Sequence, residues 1–208
     1  MRTILTLMAL IGILGKIGFA APSSPKGSEE KALVCVGCHG EAGKGVTPLF
    51  PKLAGQNVKY LSAQLRQFKE QTRAVPAMNA VAAALSEEEI ASLSAYFAAQ
   101  KPQAESIEFS PKGEAIYRAG IAAKNVPACA ACHGPQGQGN APAGFPRLQG
   151  QYAPYTLKAL SDYAAGTRGA NTPMRAIASR LSEEEMQQVA AYIAGLRIER
   201  EERSTTPD

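Results

Sequence analysis

The sequence predicts an all-α protein built from one helical module present twice. Three observations carry that expectation. A Cys-x-x-Cys-His run occurs at Cys35-Val36-Gly37-Cys38-His39 and again at Cys129-Ala130-Ala131-Cys132-His133. The likeness continues well past the run, at an offset that drifts only from 94 to 96 residues. Each copy then closes on Leu-Ser-Glu-Glu-Glu followed by apolar residues at helical spacing, and neither copy carries much alternating strand pattern.

The elements follow in chain order. Arg2 precedes an apolar run from Ile4 to Leu14, and Gly18-Phe19-Ala20 offers small residues around a cut after Ala20. Residues 1–20 are therefore expected to be a signal peptide. Lys16 interrupts the run well short of the ~20 apolar residues of a spanning helix. An uncleaved N-terminal anchor is the alternative. A first domain is expected over 21–101, a linker over 102–105, a second domain over 106–200 and a charged tail over 201–208. Lys101-Pro102-Gln103-Ala104-Glu105, polar and holding a proline, suits the join.

Within the first copy, Ser28 to Val34 leads into the cysteine run, and Pro111 to Ala122 does so in the second. Phe50-Pro51-Lys52-Leu53 corresponds to Phe145-Pro146-Arg147-Leu148, Gly55-Gln56 to Gly150-Gln151, and Tyr60 to Tyr155. Leu61, Leu65 and Phe68 fall at helical spacing, with Leu160 and Tyr163 matching the last two. Pro76-Ala77-Met78 corresponds to Thr172-Pro173-Met174 and reads as loop. Ser86 with Glu89, and Ser182 with Glu185, form the Ser-x-x-Glu capping box that starts a helix. Behind them stand Ile90, Leu93 and Phe97, and Met186, Val189 and Ile193, as core stripes. The glycines at 40, 43 and 45, and at 134, 137 and 139, follow no strand. They read as turns that let backbone approach a bound group rather than as a phosphate cradle.

The repeated run specifies chemistry. Positions i, i+3 and i+4 of a helix share a face, so Cys35, Cys38 and His39 do, as do Cys129, Cys132 and His133. Two thiols can add to the two vinyl groups of one porphyrin while the adjacent imidazole points at the iron. The pattern is that of covalent c-type haem, so two haem c groups are expected. Two disulfides or one four-thiolate zinc site would also use four cysteines. Neither explains why a histidine follows each pair, when the chain has two histidines and four cysteines in all.

The sixth ligand follows by elimination. Both histidines and all cysteines are spent. Of five methionines, Met1 and Met8 lie in the leader and Met186 sits on a core stripe. Met78 and Met174 remain, at equivalent points. His39/Met78 and His133/Met174 are thus the expected axial pairs; lysines are candidates too, but none is duplicated as neatly. A thioether favours ferrous iron and high potential, and a filled site passes electrons where an open one does chemistry. The proximal imidazole needs an acceptor for its other nitrogen, for which the carbonyls of Pro51 and Pro146 are candidates. Tyr60, Tyr155, Lys52 and Arg147 are candidates for the haem propionates. Domains this small have little core of their own, so poor folding without haem is expected.

The formal charge is +4. Without Arg2 and Lys16 the balance is 20 basic to 18 acidic residues, and haem propionates would tip it acidic. That argues against a nucleic-acid partner.

Taken together, Phe50-Pro51-Lys52-Leu53-Ala54-Gly55-Gln56, Tyr60-Leu61 with Gln64-Leu65, Pro127 to Pro135 and Phe145-Pro146-Arg147-Leu148-x-Gly150-Gln151 resemble the cytochrome c4 family. These are dihaem periplasmic proteins of two class I cytochrome c domains. The resemblance implies the same axial pairs and domains packed face to face with haem edges close. It implies a monomeric electron carrier, not an enzyme, in a periplasmic respiratory chain, with peripheral membrane association compatible. Donor and acceptor would be redox proteins: a respiratory complex, a terminal oxidase or a small carrier. The alternatives are an electron-transfer subunit of a dehydrogenase, or a dihaem enzyme (peroxidase or thiosulfate-oxidising). The chain departs from the family in its charged tail from Arg197 to Asp208. Thr72-Arg73-Ala74-Val75 also differs from Thr167-Arg168-Gly169-Ala170-Asn171, which suggests unequal potentials.

Overall fold

The computed structural model describes residues 27–104 and 110–196; the leader expected at 1–20 and the tail expected at 201–208 lie outside them. The first half holds α1 (Ser28–His39), α2 (Val58–Lys69), α3 (Pro76–Ala83) and α4 (Glu87–Ala98). The second holds α5 (Pro111–Ala119), α6 (Ala130–His133), α7 (Ala153–Ala165), α8 (Pro173–Ala178) and α9 (Glu183–Gly195). Short 3-10 turns lie at Glu41–Gly43 and Ala122–Lys124. Among the described residues there is no strand, only the isolated bridges Ile121–Val126 and Asn140–Phe145.

One module makes two slightly different entrances. In the first half nothing between Ser28 and Cys35 breaks a helix, so α1 runs through the whole cysteine motif. In the second, α5 stops at Ala119, short of the Ala122 expected from sequence, and the motif has its own short helix. Gly120 causes the break. Its φ is +73°, and a Cβ there would sit 2.3 Å from the Val126 carbonyl oxygen. Ile121 and Val126 then exchange backbone bonds of 2.8 and 3.1 Å, closing a small loop ahead of Cys129.

The closing helices start as their sequences require. Ser86 and Ser182 each accept from the N–H three residues on, while Glu89 and Glu185 reach back to the cap N–H. In the first half α1 and α2 pack on α4, burying Ala32, Leu61, Leu93 and Phe97 together. In the second, α5 and α7 pack on α9 around a larger core that includes Ile116, Tyr117, Leu160, Met186, Val189 and Ile193. Gly113 permits the close α5–α9 crossing, since a Cβ there would lie 2.0 Å from the Gln188 carbonyl oxygen. Met186 is 6% exposed, the core residue its stripe implied.

Candidate functional site

Cys35, Cys38 and His39 lie together on the last turns of α1; Cys132 and His133 lie on α6, with Cys129 at its start in helical backbone conformation. Both histidines are buried, the leading cysteines are half-buried and Cys38 and Cys132 are exposed. None of the four cysteines is joined to another in a disulfide. No group of three or more His, Cys, Asp or Glu among the described residues could hold a metal ion, so the two pairs do not form the shared zinc site. Burial raises the Cys35 thiol and pushes Cys129 up to about 11. Neither has the electropositive setting of a thiolate ligand.

The loop after each motif is the same loop twice. Gly40 and Gly134 end the helices at φ +77° and +81°. Gly45 N–H donates to the His39 carbonyl at 2.7 Å, and Gly139 N–H to that of His133 at 2.8 Å. Leu53 and Leu148 donate to the Gly43 and Gly137 carbonyls, each at 2.8 Å. These bonds bring the chain back so that His39 Nδ1 meets the Pro51 carbonyl at 2.8 Å and His133 Nδ1 meets that of Pro146 at 2.9 Å. A carbonyl accepts only, so Nδ1 carries the proton and the Nε2 lone pair is left available to a metal. Burial lowers both imidazole pKa values, partly offset by these bonds, the direction that favours the neutral ring a metal ligand needs. Phe50 and Phe145 pack against the rings at 6.3 and 6.1 Å between centroids. Sequence reading saw the repeat of these phenylalanines and missed their contact.

Met78 and Met174 are half-buried, in the first turns of α3 and α8. The expectation of a loop is corrected here: Pro76 and Pro173 sit at the starts of these helices, where a missing N–H costs nothing, and so begin them. The start fixes each methionine on a rigid turn, and Met174 also packs on the second core.

The four residues proposed for propionates lie where the halves meet. Gln56 and Gln151 each bond across this seam to the backbone of Arg147 and Lys52. Lys52 Nζ donates to the Gly150 carbonyl at 3.0 Å, and Arg147 Nε to that of Gly55 at 3.1 Å. Beside them Arg73 Nη2 donates to Tyr155 Oη at 3.3 Å and Arg168 Nη2 donates to Tyr60 Oη, each arginine reaching the other half. Burial raises the Tyr60 pKa to about 12 against the opposing pull of Arg168. Burial would lower the Arg168 guanidinium, but Tyr60 and Tyr155 hold it raised. Sequence reading marked both stretches as differing between the copies but gave the arginines themselves no contact.

The residues fit haem. Each half offers a thiol pair, a neutral imidazole with Nε2 available and a thioether. Leu33, Val34, Val46, Leu49 and Phe50 leave exposed apolar surface flanking the first motif, which an apolar macrocycle suits. At the seam, Arg73 and Arg168 are buried with no carboxylate partner among the described residues, and Arg168 Nε is buried without a hydrogen-bond acceptor. Such cations can receive the haem carboxylates. Lys52 and Arg147 directly follow Pro51 and Pro146, and Arg73 and Arg168 stand five and six residues before Met78 and Met174, so the seam is built from the segments that carry the candidate ligands.

Comparison with known proteins agrees with the geometry. The family model described as "Cytochrome c" matches residues 26–101 and again 111–197. Cytochrome c4 from Azotobacter vinelandii is 40% identical over 209 residues, covering 94% of this chain and 99% of the relative. The crystal structure of reduced recombinant cytochrome c4 from Pseudomonas stutzeri superposes with a TM-score of 0.80 at 35% identity, covering 85% of this chain and all of that one. The thiosulfate dehydrogenase electron acceptor of Stutzerimonas stutzeri (strain A1501) is 37% identical over 182 residues, covering 82% of each.

Proposed function

The chain belongs to the cytochrome c family, as a two-domain protein of the cytochrome c4 kind with two covalent haem c groups, and from this membership we propose that it carries electrons through the periplasm of a respiratory chain towards a terminal oxidase. It is an electron-transfer protein and not an enzyme, and its partners are redox proteins. In our reading Cys35, Cys38, Cys129 and Cys132 form the thioethers, and His39/Met78 and His133/Met174 are the axial pairs. The leader exports a monomeric chain. No helix of the described residues is long and apolar enough to cross a membrane.

One observation supports this reading most: the His–carbonyl bond and the helix-start methionine recur in both domains, so both sites are built for the same task. Haem iron supplies reversible one-electron exchange when bound. The chain does the rest. The proline carbonyl fixes each imidazole in one tautomer, and the methionine thioether is held on a helix start. With His39/Met78 and His133/Met174 as its ligands, neither iron would have a position left for substrate, which suits transfer and not turnover.

The test is stopped-flow oxidation of the reduced holoprotein by membranes containing a terminal oxidase. Rapid oxidation of both haems, inhibited by cyanide, supports the reading; failure under conditions where another periplasmic cytochrome is oxidised sinks it. A second reading is favoured by the relatives named as thiosulfate dehydrogenase electron acceptors. Here the donor is a sulfur-oxidising dehydrogenase, and rapid reduction by such an enzyme with thiosulfate supports it.

A further inference from the structure

The two domains are near-copies at their seam, and Gln64 breaks the copy. Arg73 and Arg168 are counterparts, as are Tyr60 and Tyr155, and Phe68 and Tyr163. Each guanidinium lies over its own domain's ring, Arg73 at 4.5 Å from the Phe68 centroid and Arg168 at 4.6 Å from that of Tyr163. Each donates across the seam to the other domain's tyrosine. Gln64 has no such counterpart. On α2 its Oε1 accepts from Arg73 Nη1 at 2.7 Å and from Arg168 Nη2 at 3.0 Å. Its Nε2 donates to Gln67 Oε1 at 3.2 Å, which turns the amide oxygen towards the arginines. The equivalent position on α7 is Ala159, which has no acceptor.

We infer that Gln64 makes the two haem sites electrically unequal, by drawing the charges of both seam arginines onto the first domain. The inference rests on the dihaem-carrier reading. Arg73 and Arg168 are 8% and 3% exposed, so solvent screens their charges little. A nearby cation favours the reduced, less positive haem and raises its potential. Arg168 belongs to the second domain by sequence, yet its Nη2 bonds go to Tyr60 and Gln64 of the first. Arg73 is held by Gln64 in its own domain and reaches Tyr155 only at 3.3 Å. The acceptor on α2 without one on α7 therefore raises the first haem relative to the second. An even pair of haems would share an electron evenly; this seam gives transfer between them a direction.

The experiment is a redox titration of the holoprotein followed by visible absorbance. Each haem is assigned by which one loses its low-spin spectrum in Met78→Ala and in Met174→Ala. Gln64→Met keeps length and removes the acceptor. It should lower the first haem relative to the second, changing their relative electron occupancy by at least about threefold, roughly 30 mV for one-electron couples. Adding Ala159→Gln to that variant places the acceptor on α7 and should carry the shift further in the same direction. An unchanged gap in Gln64→Met, or a gap restored to the starting value by the second substitution, overturns the inference. Should Gln64→Met lose its haems, Ala159→Gln alone, with Gln64 in place, must still move the gap the same way, and no movement overturns the inference too. If neither methionine variant alters one haem selectively, it is the carrier reading that fails.

Discussion

Gln56 and Gln151 hold each other's domains by the same two-point grip. Gln56 accepts from Arg147 N–H and donates to Arg147 C=O, both at 2.8 Å, while Gln151 does the same to Lys52 at 3.0 and 2.9 Å. Each side-chain amide stands in for a strand neighbour, satisfying a backbone donor and acceptor that the seam covers. Both grips lie one residue past the proline whose carbonyl orients a histidine. The domain interface and the haem sites are thus one piece of scaffold.

Gln56→Ala should weaken docking without removing haem. Gln56 is 7% exposed, and its loss leaves both Arg147 backbone groups without their partner. A cost of about 1–3 kcal/mol is expected for unsatisfied buried groups. Urea unfolding followed at the two haems separately should change from one shared transition to two. A single transition at the original midpoint would show that the grip contributes nothing.

Met174→Ala should leave both haems covalently attached and give one of them a sixth position open to carbon monoxide. The same haem should fall in potential, since loss of the thioether removes a ligand that favours ferrous iron. Redox titration with gas binding checks both. An unchanged potential would show that Met174 is not the ligand.

The closing helices make an acid prediction. Lys31 holds the Glu89 carboxyl below the usual carboxylate range, and Lys124 does so for Glu185. A depressed folded pKa contributes stability that is present above the unfolded value of ~4.3 and is lost as pH falls through the folded value. Ser182→Ala should cost about 1 kcal/mol at neutral pH through the lost cap. In Glu185→Gln the midpoint should be less sensitive to acid below pH 4.5 than in the parent. Thermal melts from pH 7 to pH 3 check both, and parallel pH profiles would refute the carboxylate's part.

Haem removal should unfold the first domain before the second. Ala32, Leu61, Leu93 and Phe97 form the first core cluster, whereas the second gathers Tyr117, Leu160, Met186 and eight more residues. A macrocycle therefore supplies more of the first interior. Cys35→Ser with Cys38→Ser should abolish that domain's cooperative melt, read by hydrogen exchange along α2 and α4. The paired change at Cys129 and Cys132 should leave residual protection in α5 and α9. Equal loss in both would contradict the difference.

What the sequence made legible was local or repeated. Ser86 with Glu89 announced a helix start because a capping box is complete within four residues. Pro51 and Pro146 were legible as acceptors because they stand 12 and 13 residues after a histidine whose second nitrogen needs a partner. The helix starts at Pro76 and Pro173 were misread as loops, although proline at the first helical position was a usable signal. The crossing of Arg73 to Tyr155 and Arg168 to Tyr60 had no local signature. It depends on docking that brings together residues 82 and 108 positions apart. Its one trace in the sequence was that all four residues recur in register, while Gln64 does not.

The most direct test of the central claim is the visible spectrum of the reduced holoprotein, at neutral pH, with and without carbon monoxide. Under the proposed ligation by Met78 and Met174, both haems should ignore the gas. Rapid binding at either haem in the unmodified protein would contradict the account, for that domain would then hold an open site suited to ligand chemistry.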